Sequence, residues 1–434
     1  MKYYSTNKNV PEVSLKEAVL RGLAADNGLY MPAQIARLPA SFFATLAGKT
    51  LQEISCEVAT ALFDGDLPEA DLQTIVCNAI NFEIPLVKVT DNIYSLELFH
   101  GPTLAFKDVG ARFLAQLMGY FTAGKNTQIT VLVATSGDTG SAVANGFLGI
   151  PGIRVVVLYP KNRVSKIQES QFTTLGQNVV ALEVAGTFDD CQQWVKQAFL
   201  DNDLQQALTL TSANSINLAR LAAQVFYYFW AYTQMPQDAD VVCSVPSGNF
   251  GNLTAGLIAQ RMGLPIRHFI AANNRNDIFY QYIATQKFTP RASIATIANA
   301  MDVGNPSNFA RIMDLYQNSH SDVAANISAY CYNDDEIGCV MQNVHRQTGY
   351  TLDPHGACGY EALRSYLQEH KNARGFFLET AHPAKFKDTV DNILHTDIVI
   401  PKKLQQFMRG TKQSIPMSAD FETFKDYLLQ TKGS

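Results

Sequence analysis

From residue 129 onward, short runs of β-branched and other apolar residues alternate with segments whose apolar positions recur at helical spacing. A short apolar run bounded by turn residues indicates a buried strand, and i, i+3, i+4 spacing indicates an amphipathic helix. Strands are predicted at 129–134, 154–159, 179–184, 208–211, 241–245, 267–271 and 375–378, with helices at 141–147, 164–175, 189–200 and 216–232. This alternation is typical of βαβ units and predicts an α/β fold with a largely parallel sheet.

Residues 1–95 follow a different, mainly helical pattern. Ser14 and Glu17 form a Ser-x-x-Glu sequence that predicts a helix start, and 40–47 and 50–63 also have helical spacing. A strand is predicted at 93–98. We therefore divide the chain into a mainly helical N-terminal region at 1–95, a lobe at 96–215 and a larger lobe at 216–434.

A single lysine, Lys107, stands between a Gly-Pro turn at 101–102 and the start of a helix. Val109, Phe113 and Leu117 repeat at helical spacing, which places Lys107 in the first turn of that helix. A cation gains nothing from the helix dipole at this end. Apolar neighbours and a helix N-terminus disfavour the charged form of an amine, which makes it a nucleophile able to form a Schiff base. This stretch alone leaves two interpretations open, a reactive amine and a solvated surface lysine.

Two of the predicted strands lead directly into polar, glycine-containing loops at 134–142 and 245–256. Open α/β sheets bind ligands beyond the carboxyl ends of their strands. Each loop offers backbone N–H groups at a helix N-terminus, which suit a phosphate or a carboxylate. Each also fits a tight turn with a Ser or Asn cap, and this alternative stays open. Neither loop has the lysine of a P-loop, which argues against a phosphate-binding NTPase, and neither has the G-x-G-x-x-G sequence of a dinucleotide site.

Two weaker candidates follow other predicted strands. Thr380 comes after the strand at 375–378 and is suited either to cap the next helix or to bond a ring nitrogen of a ligand. Lys161 and Arg163 come after the strand at 154–159 and are suited either to a phosphate clamp or to a solvated helix start. The sequence alone does not decide between these interpretations, because they depend on which residues lie nearby in the fold.

Composition and charge limit the classes of partner. The 434 residues are 47% hydrophobic and carry a formal net charge of -5 with no long basic run, which argues against a nucleic-acid partner. Seven cysteines without a C-x-x-C pair and eight scattered histidines argue against a disulfide framework and a metal site. The chain starts without an apolar signal region, and its longest apolar run, 221–232, is too short to cross a bilayer. We therefore expect a cytoplasmic protein without membrane contact.

Four stretches taken together resemble one family of enzymes. They are His-Gly-Pro-Thr-Leu-Ala-Phe-Lys-Asp at 100–108, Thr-Ser-Gly-Asp-Thr-Gly at 135–140, Ser-Val-Pro-Ser-Gly-Asn-Phe-Gly-Asn at 244–252 and Thr-Ala-His-Pro-Ala-Lys-Phe at 380–386. They resemble pyridoxal-phosphate enzymes of fold type II, the tryptophan-synthase-β-like fold, and more closely the longer bacterial and fungal branch of the threonine synthase family. The resemblance implies two α/β lobes with mostly parallel sheets and an N-terminal helical region. The combination is far more specific than any single loop.

The resemblance also implies a role for each candidate residue. Lys107 would form the Schiff base with pyridoxal 5'-phosphate and then shuttle protons, while Thr380 would face the pyridine nitrogen. The cofactor phosphate would be held by Gly248, Asn249, Phe250 and Asn252. The substrate carboxylate would lie against Thr135, Ser136, Asp138 and Thr139, and the substrate phosphate against Lys161 and Arg163. A hydroxyl partner leaves the ring nitrogen free to stay unprotonated, which favours elimination and addition over transamination.

Asp138 departs from the wider superfamily, in which many members place an Asn beside the 3′-oxygen of the cofactor. An acid at this position is typical of the longer branch of the resembled family. A carboxylate next to a phenolate is unfavourable unless one of them is protonated or a cation lies nearby. The resemblance therefore implies a proton on Asp138 or a neighbouring cation.

The reaction that the resemblance implies is lyase chemistry on O-phospho-L-homoserine. β,γ-Elimination of phosphate and addition of water at Cβ would give L-threonine and phosphate, with no obligate protein partner. Lys107 would carry the protons, and the outgoing phosphate would serve as an additional base. Two alternatives remain: another fold type II enzyme, such as a serine or threonine dehydratase or a β-replacement synthase, and a catalytically silent sensor of a phosphorylated ligand. The presence of the lysine argues against the sensor.

Overall fold

The computed structural model describes residues 1–124, 128–236 and 239–431. Its strands are β1 Tyr3–Ser5, β2 Tyr30–Pro32, β3 Leu86–Lys88, β4 Ile93–Glu97, β5 Ile129–Ala134, β6 Ile153–Pro160, β7 Val179–Val184, β8 Thr209–Ser212, β9 Asp240–Pro246, β10 His268–Asn273, β11 Ile327–Cys331, β12 Ala373–Glu379 and β13 Ile415–Met417. Its α-helices are α1 Leu15–Arg21, α2 Ala40–Thr45, α3 Leu51–Phe63, α4 Glu69–Ala79, α5 Lys107–Thr122, α6 Asp138–Gly146, α7 Lys166–Thr173, α8 Phe188–Leu200, α9 Asn202–Ala207, α10 Leu218–Gln234, α11 Gly251–Arg261, α12 Ile278–Thr285, α13 Phe309–Leu315, α14 His320–Asn326, α15 Asp334–Thr348, α16 Pro354–Glu369, α17 Lys387–Leu394, α18 Lys402–Met408 and α19 Phe421–Gln430. Short 3₁₀ helices lie at Leu46–Gly48, Asn299–Met301 and Pro383–Phe386.

Two mostly parallel sheets form the framework of the molecule. The larger sheet has six strands in the order β11-β10-β9-β12-β4-β3, and only the β3–β4 pair within it is antiparallel. The smaller sheet has five parallel strands in the order β13-β7-β6-β5-β8. Strands β1 and β2 form a separate antiparallel pair. The predicted α/β class with mostly parallel sheets is confirmed.

All eight predicted strands form, with ends that differ from the predicted ones by at most two residues. Their apolar runs are long because helices cover both faces of each sheet. In β5, for example, Val131 packs in one core with Phe147, while Leu132 packs in another core with Trp194. Helix α6 begins at Asp138, earlier than predicted, because Gly137 adopts a φ of +142° that turns the chain directly from strand to helix.

Helix α10 lies at the centre of the molecule and is buried on nearly every face. It packs against three helices. They are α11, which lies on the larger sheet, α5, which begins at Lys107, and α3 of the N-terminal region. A helix that contacts three neighbours in this way is mostly apolar on every side, and its buried polar residues Arg220 and Gln224 donate hydrogen bonds to backbone carbonyls. Over the described ranges, no helix is both long enough and apolar enough to span a bilayer.

The N-terminal helices add a layer to the same core. Ile54 of α3 and Val76 of α4 are fully buried in one cluster with Phe113 of α5. Helix α3 starts with a complete capping box between Thr50 and Glu53, whereas at α1 the Ser14 side chain accepts a bond from a backbone N–H without the reciprocal one. The three-part division of the chain stays a prediction. Both sheets contain strands from different predicted parts, since β4 pairs with β12 and β13 pairs with β7.

Candidate active site

The turn that precedes Lys107 is shaped by a buried acid. Asp108 accepts hydrogen bonds from the Thr103 N–H at 2.8 Å and from the Thr103 hydroxyl at 2.6 Å. Its carboxyl group lies against Gly101, where a Cβ would come within 2.5 Å of Asp108 Oδ2. The Gly-Pro sequence therefore allows the turn to close over the acid. Helix α5 begins at Lys107, as the helical spacing predicts.

Thr380 lies beside this turn because the end of β12 is hydrogen-bonded to it. The Phe106 N–H donates to Thr380 O at 2.8 Å, and the His382 N–H donates to Leu104 O at 3.1 Å. Strand β12 is also the neighbour of β4, which leads into the turn. Thr380 is buried, and within the described chain its hydroxyl has no hydrogen-bond partner. That hydroxyl is available to a ligand.

Lys107 is half-buried among charges of both signs. Its Nζ makes no ion pair or hydrogen bond with any residue that the structure describes, and it lies 5.9 Å from the centre of the Phe106 ring. Burial lowers the pKa of Lys107 to about 8; the Asp138 carboxylate opposes this shift, and Arg220 and Lys385 add to it. Near neutral pH, Lys107 therefore has a larger share of the neutral amine than an ordinary lysine, and the neutral amine is the nucleophilic form.

Asp138, the first residue of α6, forms a buried ion pair with Lys385. Its Oδ1 lies 2.8 Å from Lys385 Nζ and 2.9 Å from Gln168 Nε2. Burial acts to raise the pKa of Asp138, but the charges of Lys385 and Lys107 outweigh it, and the pKa lies far below its usual value. Asp138 is therefore ionised, and the balancing group is the cation of Lys385.

The loop after β9 presents a row of unpaired backbone N–H groups. Five consecutive groups, those of residues 248–252, meet no acceptor among the described residues. Phe250 has a left-handed φ of +58° just before α11 begins, and Gly248 lies so close to Met301 that a Cβ would be 2.7 Å from the Met301 Cα. Convergent N–H groups at a helix N-terminus suit a phosphate. We call residues 248–252 the phosphate loop.

Asn252 holds the phosphate loop in shape. Its Nδ2 donates to Pro246 O at 2.8 Å, and its Oδ1 accepts a bond from the Ser247 hydroxyl at 3.0 Å. Both ends of the side-chain amide are thus engaged within the protein. The group that Asn252 offers to a phosphate in this structure is its backbone N–H.

Asn249 ties the phosphate loop to two other segments. Its Nδ2 donates to the Ser215 hydroxyl at 2.5 Å, and its Oδ1 accepts a bond from the Ser307 N–H, also at 2.5 Å. The Asn308 side chain donates to Asn249 O at 3.0 Å. The polar turn at 305–309 therefore supports the phosphate loop from outside, and the Asn249 side chain is engaged in the same way as that of Asn252.

The loop at 135–140 uses its backbone groups differently, and we call it the Thr135 loop. The Thr135 hydroxyl accepts hydrogen bonds from the Gly137 N–H at 2.9 Å and from the Gly140 N–H at 2.8 Å. Ser136 is exposed and Thr139 is half-buried. Their hydroxyl and N–H groups have no partner in the described part of the chain. Thr135 thus shapes this loop, and Ser136 and Thr139 remain available to a ligand.

Lys161 and Arg163 lie in an exposed turn after β6. Strand β6 pairs with β5, so this turn is at the same sheet edge as the Thr135 loop. Neither side chain forms an ion pair with a carboxylate of the described ranges. The charged neighbours of Lys107 are Asp138, Arg220 and Lys385, and these two exposed cations are not among them.

A cavity of about 770 Å³ opens beside residues 97–104, lined among others by Glu97, His100, Tyr350 and His382. Neither Lys107 nor any residue of the phosphate loop or the Thr135 loop lines it. It is therefore separate from the candidate active site. Within the described ranges, no group of three or more His, Cys, Asp or Glu side chains is arranged to hold a metal ion.

Three residues near Lys107 were not predicted as site residues: Lys385, Arg220 and Gln168. Lys385 lies within the stretch 380–386, which is the one signal that pointed to it. Arg220 and Gln168 lie in helices whose spacing predicts packing, and no local motif distinguishes them. Their proximity to Lys107 and Asp138 depends on how α10 and α7 pack, which is a property of the assembled lobes.

These groups fit pyridoxal phosphate. The cofactor needs several donors for its phosphate, an amine for its aldehyde and a polar partner for its ring nitrogen. The phosphate loop, Lys107 and the free hydroxyl of Thr380 offer these three functions. Segment 215–220 connects two of them, because Ser215 bonds the phosphate loop and Arg220 is a charged neighbour of Lys107.

Comparison with known families agrees with this site. The family model described as "Pyridoxal-phosphate dependent enzyme" matches residues 84–375, more than half of the chain. The model "Threonine synthase N terminus" matches residues 2–80, and "Threonine synthase, C-terminal" matches residues 356–428. The three matches together run through nearly the whole chain.

Similar proteins extend over the full length. The threonine synthase of Haemophilus influenzae is 44% identical over 433 residues, which cover 99% of this chain and 100% of the relative. The crystal structure of threonine synthase from Escherichia coli matches with a TM-score of 0.92 at 39% identity, over 100% of both chains. The structure of pyridoxal-phosphate-bound threonine synthase from Brucella melitensis matches with a TM-score of 0.94 at 35% identity, also over 100% of both. The predicted resemblance is confirmed, and the chain belongs to the threonine synthase family of pyridoxal-phosphate-dependent enzymes.

Proposed function

We propose that this protein is a lyase that converts O-phospho-L-homoserine and water to L-threonine and phosphate, with pyridoxal phosphate as cofactor. The observation that carries the proposal is Lys107, an amine with a lowered pKa and no ion pair among the described residues, in the turn to which the Thr380 backbone is hydrogen-bonded. Family membership supplies the reaction class and the cofactor.

The cofactor is held at three points. The five N–H groups of the phosphate loop and the positive end of α11 would bind its phosphate. Lys107 would hold it covalently through Nζ, and the Thr380 hydroxyl would meet its ring nitrogen. When bound, pyridoxal phosphate supplies a ring that accepts electrons from the substrate carbons. The engaged amides of Asn249 and Asn252 lead us to assign their phosphate contacts to the backbone.

The substrate lies toward the smaller sheet. Ser136 and Thr139 donate to its carboxylate from the Thr135 loop, where their hydroxyl and N–H groups are free. Asp138 would lie next to the 3′-oxygen of the cofactor, and its charge is balanced by Lys385. Lys161 and Arg163 meet the substrate phosphate from the exposed turn at the same sheet edge.

Lys107 moves the protons. With the substrate amino group bound in its place, Lys107 would be a free amine, and a pKa that burial lowers to about 8 suits both uptake and release of a proton near neutral pH. It would take protons from Cα and Cβ as phosphate leaves and return one at Cγ. After water adds at Cβ, Lys107 would return the other proton at Cα, which gives L-threonine.

The test is product analysis on purified protein supplied with pyridoxal phosphate and O-phospho-L-homoserine. We expect inorganic phosphate and L-threonine in equal amounts. No release of phosphate would contradict the proposal. Serine and threonine serve as control substrates, because a keto acid formed from them at comparable efficiency would support the dehydratase alternative.

The expected cytoplasmic location remains a prediction from the sequence. The same holds for the expected independence from nucleic acid, membrane and obligate protein partners. The small-molecule partner that we propose for this site is phosphohomoserine.

A further inference from the structure

Lys385 is a second lysine within the candidate active site. Its Nζ lies 2.8 Å from Asp138 Oδ1 and 2.8 Å from Thr103 O, and its side chain is fully buried. Thr103 belongs to the turn before Lys107, so Lys385 contacts elements on both sides of the reactive lysine. We propose that Lys385 is a positioning residue whose pairing with Asp138 keeps Lys107 free of an ion pair and available as an amine. This inference rests on the proposed function, in which Lys107 reacts with the cofactor aldehyde.

Asp138 is the group that would otherwise capture Lys107. It is an ionised carboxylate in a nearly water-free position, and its charge acts on Lys107. Opposite charges attract strongly where water does not screen them. With no other cation in contact, Asp138 would favour the ammonium form of Lys107, which has no lone pair and does not attack a carbonyl. Lys385 occupies the carboxylate instead.

Helix α7 fixes both ends of this arrangement. Gln168 donates to Asp138 Oδ1 at 2.9 Å, and Gln171 donates to Thr103 O at 2.9 Å, so each acceptor used by Lys385 also accepts a bond from α7. Both glutamines are buried. The backbone of Lys385 lies in the 3₁₀ helix Pro383–Phe386, directly after the strand end that carries Thr380. The ion pair is therefore held in one geometry.

The charged groups that face Lys107 within the described ranges are three. They are Asp138 from α6, Lys385 from the segment after β12 and Arg220 from α10. Arg220 is buried and donates to Ala213 O, so it is fixed as a positive charge that disfavours the ammonium form. The balance at Lys107 thus depends on whether the Asp138 charge is neutralised by Lys385.

The test is the pH dependence of cofactor attachment to apoenzyme, measured by the visible absorbance of the Schiff base after mixing with pyridoxal phosphate. In this step the Lys107 nitrogen forms a C=N bond with the aldehyde carbon, and the aldehyde oxygen leaves as water with the two amine hydrogens. The rate rises with pH as Lys107 loses its proton, and its midpoint reports the pKa of Lys107. We compare wild type, Lys385→Met, Asp138→Asn and the double variant. Lys425→Met, which breaks another lysine–aspartate pair with a 2.8 Å contact, is the control.

We expect a wild-type midpoint near pH 8. Lys385→Met raises it by about one pH unit, a tenfold loss of free amine at lower pH, because Asp138 then pairs with Lys107. Asp138→Asn lowers the midpoint, because the attracting charge is gone while Lys385 remains. The double variant falls between the two single ones, and Lys425→Met matches wild type.

An unchanged or lower midpoint in Lys385→Met would overturn the inference. A slower attachment alone would not support it, because a purely structural role slows attachment without moving the midpoint. Lys385→Met leaves the Asp138 carboxylate buried without a partner, which can prevent folding. In that case the double variant, which lacks both charges, is compared with Asp138→Asn instead. The midpoint of Asp138→Asn must then lie below that of the double variant, and the reverse order overturns the inference. Absence of any Schiff base in wild type would instead contradict the proposed function.

Discussion

The phosphate loop and the Thr135 loop look alike as sequences, yet they distribute their hydrogen-bond donors differently. Both pass from a parallel strand into a helix through small polar residues and glycine. In the phosphate loop, the side-chain amides face the protein and five backbone N–H groups have no acceptor among the residues that the structure describes. In the Thr135 loop, one hydroxyl accepts two backbone N–H groups and leaves fewer donors. The number of free donors therefore depends on where the side-chain acceptors of the loop are directed.

The two loops also differ in charge. The phosphate loop has no charged side chain, so a phosphate there would be met by N–H groups and the positive helix end. The Thr135 loop carries the Asp138 carboxylate, whose charge is balanced by Lys385. A dianion is better accommodated in the first loop, and a monoanionic carboxylate in the second. This difference supports assigning the cofactor to one loop and the substrate to the other.

Removing the lysine between the loops should give the largest effect. Lys107→Ala eliminates both the covalent link and the proton carrier, and we expect turnover to fall by on the order of 10⁴-fold. The phosphate loop is unchanged in this variant, so pyridoxal phosphate should still bind without forming a Schiff base. Equilibrium dialysis with borohydride reduction measures both properties. Retained covalent attachment in this variant would show that another lysine is the reactive one.

Gly248→Ala should weaken cofactor binding, which we assign to the phosphate loop, and leave the Thr135 loop unchanged. A Cβ at this position would lie 2.7 Å from the Met301 Cα, so the loop must move and the N–H groups lose their convergence. We expect the affinity for pyridoxal phosphate to fall about 10- to 100-fold, the cost of one or two hydrogen bonds to a charged group. Titration of apoenzyme measures this change. An unchanged dissociation constant would argue that the phosphate binds elsewhere.

Gly137→Ala should have the complementary effect on the substrate. Gly137 adopts a φ of +142°, and a Cβ there would lie 2.6 Å from the buried Gln168 side chain. Such strain costs on the order of 1–3 kcal/mol, so we expect the KM for O-phospho-L-homoserine to rise about 10-fold. The affinity for pyridoxal phosphate should stay close to that of wild type, which makes Gly248→Ala the matched control. An equal loss of cofactor in both variants would remove the distinction between the loops.

The smallest effect is expected from the exposed cations. Lys161→Ala combined with Arg163→Ala should raise KM by roughly 3- to 10-fold, because a solvent-exposed charge contact contributes about 0.2–1 kcal/mol. Removal of the exposed Lys196 on α8 is the control for lost surface charge. Steady-state kinetics at two salt concentrations would show a weaker effect at high salt. A KM equal to that of the control would place the substrate phosphate on other residues.

Much of the fold was predictable because its signals are local. The eight strands of the sequence prediction depend on runs of apolar residues, and Lys107 at the start of α5 depends on helical spacing after a Gly-Pro turn. The phosphate loop was predictable for the same reason, since glycine and small polar residues between a strand and a helix determine the local backbone. Family resemblance then connected these segments to one cofactor. The start of α6 was predicted three residues late because Gly137 has an unusual backbone conformation.

The sequence by itself determined much of the secondary structure, the position of Lys107 at a helix start and the two loops, since each is encoded by neighbours along the chain. Only the tertiary structure decided which groups remain free in those loops and which cation balances Asp138. Lys385 reaches Asp138 because β12 ends beside the Lys107 turn while α6 and α7 pack on the smaller sheet. Contacts of this kind depend on strand order and helix packing, which no local pattern records. The tertiary structure thus places the charges of Asp138 and Lys385 beside Lys107, where they balance each other.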